Sequence, residues 1–167
     1  RINVLWKKCA DNRAEILRLE TQLRMLEPWM KLDIPMRTIG TASTAVFIGS
    51  FPTAYTEEAL RAKIAEGAPD IDGVAVEILS AGAQQTCAFF LCHASAGPKL
   101  EAYLRSIGLT YPAEPSKQPP KERAEMLQAR IEALRAEIGE AEAEIRTHAG
   151  RRTDFRYTID YFSMRIE

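Results

Sequence analysis

A 3-4 spacing of apolar residues runs without a slip through the last part of the chain. It picks out Ala124, Leu127, Ile131, Leu134, Ile138, Ala141, Ile145, His148, Arg152, Phe155, Ile159, Phe162 and Ile166, of which only His148 and Arg152 are not apolar. A stripe this narrow is the seam of a coiled coil rather than the broad inner face of a globular helix. Residues 119–167 as one helix would reach about 70 Å at 1.5 Å per residue. One compact core cannot cover such a rod, so the seam demands a long partner.

The start of the chain supplies one. Ile2, Leu5, Cys9, Asn12, Ile16, Leu19, Leu23 and Leu26 repeat the spacing, with Asn12 the one polar interruption, while Glu15, Arg18, Glu20 and Arg24 lie off the line. Pro28 lacks an amide proton and disfavours helix at Glu27, so the first rod ends or kinks there. Aligned antiparallel, with seam numbers summing to about 157, Leu26 meets Ile131, Leu19 meets Ile138 and Ile2 meets Phe155. Leu19, Leu23 and Leu26 against Ile131, Leu134 and Ile138 form the heart of the seam. Glu20 then falls near Arg135 and Arg13 near Glu142, whereas Glu15 falls near Glu144. Exposed pairs contribute about 0–1 kcal/mol each, so the apolar seam supplies the stability and charge only hints at register.

The second rod outruns the first. Ile159, Phe162 and Ile166 are left without an in-chain partner, although burying each would be worth about 1.5–3 kcal/mol. They are candidates for self-association, or for a helix supplied from upstream in a longer parent, since the chain opens on Arg1 inside a helical pattern. The expected organisation is helix over 1–31, an α/β lobe over 32–118 and helix over 119–167.

With 167 residues and a net charge of −1, the chain can hold one small domain plus an extension and presents no strongly basic face, so nucleic acid is not an expected partner. No apolar run approaches the length of a membrane span, and no signal-peptide pattern appears. Cys9, Cys87 and Cys92 fit a reducing compartment. On one strand Cys87 and Cys92 would point to opposite faces, which argues against a bridge between them.

Between the rods the pattern changes. Pro35 and Gly40 interrupt helix in residues 31–41, and residues 44–52, TAVFIGSFP, read as a buried strand. Thr56 is an N-cap with Glu57 and Glu58 in the first turn, and Leu60 and Ile64 form an inner stripe that ends at a C-terminal Gly67. Asp72-Gly73 is a turn. Val74, Val76 and Ile78 alternate as a half-buried strand, and residues 86–93 make its hairpin partner. Pro98 opens a second helix carrying Leu100, Leu104 and Ile107 inward and ending at Gly108. A short extended piece, residues 109–111, and a proline-rich lead follow. The order is β-α-β-β-α-β, so the fold class is α+β: an antiparallel two-helix coiled coil with a ferredoxin-like lobe inserted at its tip.

Nothing in the sequence carries catalytic chemistry. No nucleophile motif, P-loop or dinucleotide fingerprint appears, and no cofactor is implied. Gly49 without a GxGxxG pattern reads as a bulge or close-packing residue. Cys92-His93 lacks the second Cys/His pair that a metal site needs. His148 and Arg152 on the seam set register or loosen the rod, and with Gly150 between them residues 147–152 are a candidate bend. Tyr157 and Tyr161, with Arg151, Arg156 and Arg165, give the end of the rod an aromatic and basic surface that suits a further helix or simply solvent.

The architecture resembles the N-terminal cytoplasmic part of subunit I of bacterial and archaeal A/V-type ATPases, the equivalent of subunit a of the vacuolar pump. Two stretches carry the resemblance. LEPWMKLDIPMRTIGTASTAVFIGSFP, residues 26–52, leads from a helix end with Trp29 into a strand closing Gly49-Ser50-Phe51-Pro52. SIGLTYPAEPSKQPPKERAEML, residues 106–127, gives a helix close, an extended strand, a proline-rich link and a charged helix start, with Leu109 where the family commonly has an aromatic. The order and spacing of these pieces are more specific than any one of them.

The resemblance implies a non-catalytic stator strut at the cytoplasmic face of the membrane, continuing in the parent into a domain that moves protons or sodium. It implies docking of the lobe, similar to the distal one of two, to the peripheral-stalk E/G heterodimer and to the C subunit that caps the central stalk. Glu58, Arg61, Lys99 and Arg105 point away from the inner stripes and are the residues to test for stalk contact, though an ordinary solvated surface would look the same. Two other readings stay open: a generic coiled-coil scaffold, and a regulatory module whose ferredoxin-like lobe binds a small ligand in a polar-lined pocket.

Overall fold

The computed structural model of the chain describes residues 2–163, and the side chains within that span except those of residues 154, 155 and 157–163. The chain separates into two compact units, one of Arg1–Arg24 with Met126–Glu167 and one of Met25–Glu125.

The first unit is made by the greater part of two long helices, α1 (Ile2–Leu26) and α4 (Pro120–Ser163), whose residues 25–26 and 120–125 fall in the second. α1 is rich in Leu and Arg and α4 in Ala, Glu and Arg, and neither has an interior proline, so local propensity agrees with the apolar repeat. Arg13 pairs with Glu142 at 2.7 Å and Glu20 with Arg135 at 2.9 Å. Partner numbers fall on α4 as they rise on α1, so the helices run antiparallel. Cys9 and Leu19 are buried on α1, as are Leu127, Ile131, Leu134 and Ala141 on α4. Leu23, Ile138, Ile145 and His148 are half-buried, and Arg152 is exposed. Arg152, read from sequence as a seam position, is thus at the surface. Off the stripe, Val4, Trp6 and Leu17 are exposed, each more than half.

α4 continues without interruption through Gly139, Gly150 and residues 147–152. The candidate bend therefore lies inside regular helix. Phe155 as partner of Ile2, the Tyr157 and Tyr161 surface, Arg165 and the unpartnered Ile159, Phe162 and Ile166 lie outside the described side chains.

The second unit opens with a 3-10 helix over Glu27–Trp29, with Pro28 in its first turn, where α1 stops. Its sheet has three strands: β1 (Thr44–Phe51), β2 (Ala75–Ala81) and β3 (Thr86–His93). The order is β1-β3-β2, and both outer strands are antiparallel to the middle one. The expected fourth strand at residues 109–111 is reduced to a single bridge, Thr110 to Ser50 on the outer edge of β1. The proline-rich run beginning at Pro112 leaves the chain few amides with which to extend the ladder.

Two helices, α2 (Glu57–Gly67) and α3 (Gly97–Ser106), cover one face of the sheet. Thr56 caps α2 by accepting the Ala59 amide at 3.1 Å. Leu60, Ile64, Leu100 and Leu104 pack with Phe47, Phe51, Val76, Phe90, Cys92 and Leu109 into one core. The Phe51 ring meets the rings of Tyr55 and Phe90 edge-on, at centroid distances of 5.3 and 6.0 Å. Thr86 is fully buried, yet its hydroxyl donates to the Thr53 carbonyl and accepts the Tyr55 amide, each at 2.9 Å. Its polar atom is thus satisfied, as burial requires.

Three details depart from the sequence pattern. Gly67 is not a left-handed helix cap, since positive φ occurs only at Gly40, Gly73 and Gly108 among the described residues. Instead it admits the Tyr103 ring, which a Cβ at residue 67 would meet at 2.0 Å, while the Tyr103 hydroxyl donates to the Lys63 carbonyl at 2.6 Å. A bulge between Ile78 and Ser80 breaks the alternation of β2, and Leu79 beside it is buried. The connector after Trp29 is not merely a link, because Leu32 and Met36 are as buried as Trp29 itself.

Candidate interaction surfaces

A polar cluster crosses the helix pair at Asn12, the seam position that breaks the apolar line of α1. Asn12, half-buried, donates from Nδ2 to Glu137 Oε2 at 3.2 Å. Lys8, one helical turn earlier, brings Nζ to 3.3 Å of the same oxygen, and Arg130 approaches the other carboxylate oxygen at 3.9 Å. The bonds from Asn12 and Lys8, then the nearby positive charge, hold the Glu137 carboxyl below its ordinary range. Glu15, expected to face Glu144 unfavourably, is gripped by Arg18 of its own helix at 2.7 Å, which likewise lowers its carboxyl. Glu144 is met by His148 of its own helix at 3.5 Å.

The lobe residues named for stalk contact fall on the outer faces of α2 and α3, and all four are exposed. The structure does not link them to one another. Arg61 is held by Glu57 and Arg105 by Glu101, each across one turn of its own helix. Glu58 and Lys99 make no ion pair among the described residues. Arg105 also lies over the Tyr111 ring at 5.2 Å, and the Tyr111 hydroxyl donates to Glu101 at 2.9 Å. This Glu101–Arg105–Tyr111 group escaped sequence reasoning. The i,i+4 spacing of Glu101 and Arg105 was the available signal, but Tyr111 comes from beyond the helix.

The reactive side chains are quiet. Cys9, Cys87 and Cys92 are free thiols and all are buried. Cys92 belongs to the core under α2 and α3 while Cys87 does not. Burial pushes the Cys87 thiol up to about 11 and raises Cys92 as well, so neither is a thiolate near neutrality. His93 uses Nδ1 on Ser95, accepting its amide at 3.3 Å and meeting its hydroxyl at 2.8 Å. Among the described residues no group of three His, Cys, Asp or Glu could hold a metal ion. No described helix is long and apolar enough to cross a membrane.

No family model matches the chain, and no curated protein matches it in sequence. Among solved structures it is similar to the crystal structure of the cytoplasmic N-terminal domain of subunit I, homolog of subunit a, of V-ATPase. The TM-score is 0.50 and the identity 19%, over 86% of this chain and 47% of that one. The chain thus spans about half the length of the neighbour, and at this identity the likeness is one of fold.

Proposed function

We propose that the chain is a non-catalytic stator segment of a rotary A/V-type ATPase, a coiled-coil strut whose ferredoxin-type lobe docks on the peripheral stalk. The observation that carries this reading is the fold likeness to a subunit I cytoplasmic domain across 86% of the chain. The physical design suits the role. A stator must transmit torque without bending, and two ion-paired antiparallel helices with a buried seam resist bending better than either alone. Thiols kept inside the fold suit a mechanical part as well.

In this reading the lobe meets the E/G heterodimer and the cap of the central stalk through the outer faces of α2 and α3, on the cytoplasmic side of the membrane. Glu58 and Lys99 are open for a partner. Arg61 and Arg105 exchange an exposed intrahelical pair for an intermolecular one at little cost, because such pairs contribute about 0–1 kcal/mol. The test is capture of purified E/G heterodimer by the immobilised chain, repeated with Glu58→Lys and Lys99→Glu. Binding that weakens with salt and with either reversal supports the reading, since rim charges act on association rate and salt dependence. Absence of binding at high micromolar concentration sinks it and leaves a scaffold with another partner.

A further inference from the structure

An apolar 3-4 seam does not specify its own register. Sliding α4 by one heptad along α1, about 10.5 Å, replaces each seam residue by another member of the same series. Something else must choose among these positions.

We infer that the Lys8–Asn12–Glu137 cluster, with the flanking Arg13–Glu142 and Glu20–Arg135 pairs, is a register lock for the helix pair. In the observed register three separate links close at 3.3 Å or less. A slip in one direction puts Arg130 where Glu137 stands, facing Lys8 and Asn12, and puts Arg135 opposite Arg13. The slip in the other direction brings Glu144 to Lys8 and Asn12 in place of Glu137, but puts Glu142 opposite Glu20 and leaves Arg13 facing Ala149. The central cluster and the Arg13 pair oppose the first slip, and the flanking Arg13–Glu142 and Glu20–Arg135 pairs oppose the second. Asn12, placed at a seam position where an aliphatic residue would bind more tightly, fits the known use of a polar seam residue to fix register at some cost in stability. The lock is a property of the helix pair and does not depend on the functional reading above.

The inference makes a directional test possible. Lys8→Glu with Arg13→Glu sets carboxylates against Glu137 and Glu142 in the native register. In the slipped register the same two changes offer partners to Arg130 and Arg135. Spin labels on engineered cysteines at Leu17 and Arg151, both exposed, report the axial offset in the full chain, the native thiols being buried. The wild type gives one narrow distance peak. The double variant moves it to longer distance by nearly 10 Å, about one heptad of rise. A double variant that is helical and keeps the wild-type peak overturns the inference, and fixes register through residues 25–125 instead. If that variant loses its helical signal, the neutral variant Asn12→Leu, Arg13→Ala, Arg135→Ala, Glu137→Ala decides. Several peaks from it support the lock, and a single wild-type peak refutes it.

Discussion

Replacing Gly49 by alanine tests how the second unit closes. Gly49 is buried in β1 opposite Ala88. A Cβ there would lie 2.6 Å from Leu109 Cδ1 and 2.8 Å from the Thr110 carbonyl oxygen. Neither neighbour can easily give way. Leu109 is 5% exposed within the core. Thr110 is tied to Ser50 by a pair of backbone bonds of 2.8 and 2.9 Å. Overpacking of this kind costs about 1–3 kcal/mol, and weakening the two bonds adds about 1 kcal/mol each where they are lost. Against this stands the gain of roughly 0.5–1 kcal/mol from removing a strand glycine. The expected net is a loss of about 2–3 kcal/mol, or roughly 10–20 °C in Tm for a unit of about a hundred residues. Urea unfolding followed by Trp29 fluorescence measures it, because Trp29 is buried in this unit. Leu109→Ala costs about 2–5 kcal/mol alone but relieves part of the clash, so the double variant should fall short of additivity by about 1 kcal/mol. A Gly49→Ala protein as stable as the wild type, or strict additivity with Leu109→Ala, refutes the close-approach argument.

The remaining predictions concern glycine, acid and thiol. Gly139→Ala should stabilise the first unit by up to about 1 kcal/mol, since a Cβ there meets nothing within 4 Å, and a thermal melt by circular dichroism checks the sign. Glu137 has its folded pKa lowered from 4.5, so its contribution is present above that value and lost as pH falls through the lowered one. Urea titrations should therefore show Glu137→Gln less stable than wild type near neutrality, the two converging in acid; a gap that widens below pH 4.5 would contradict the sign. Cys87, with its thiol at about 11, should be roughly one part in a thousand thiolate at about pH 8 and should resist iodoacetamide until the protein is denatured. Rapid native alkylation at Cys87, located by peptide mapping, would show that the site opens.

What the sequence made legible was what local chemistry decides. Thr56 followed by two glutamates marks a cap, Pro28 marks a helix end and Pro98 a helix start, and each does what its backbone chemistry dictates. The α+β class follows from the change of period between residues 44 and 107. What escaped needed three-dimensional neighbours. Leu32 and Met36 lie in a stretch with no period, so nothing in their spacing announces burial. Gly67 looks like a helix cap until Tyr103, far along the chain, is brought against it. The fourth strand failed because pairing depends on how many amides a proline-rich edge can offer, not on three β-prone residues. Arg61 and Arg105 looked free for a partner, whereas i,i+4 carboxylates on their own helices already hold them.

The helix pair separates two kinds of information that one repeat carries together. The apolar series says that a long partner exists and on which line it lies, and it says so redundantly, because every heptad repeats the message. That redundancy is why it cannot name the register. The charges flanking the seam repeat only in part: Glu144 stands one heptad after Glu137, but only the observed alignment also pairs Arg13 with Glu142 and Glu20 with Arg135. Their individual energies are small, about 0–1 kcal/mol each when exposed. Yet neighbouring alignments one heptad apart share most of the apolar seam, so a difference of about one or two kcal/mol from the charges weighs in which one is populated. Weak surface pairs that hardly alter stability can thus determine geometry, since a slip of one heptad displaces one helix along the other by about 10 Å. The stability of this pair therefore resides in residues such as Leu19 and Leu134, while its structural identity resides in Asn12 and the charges around it.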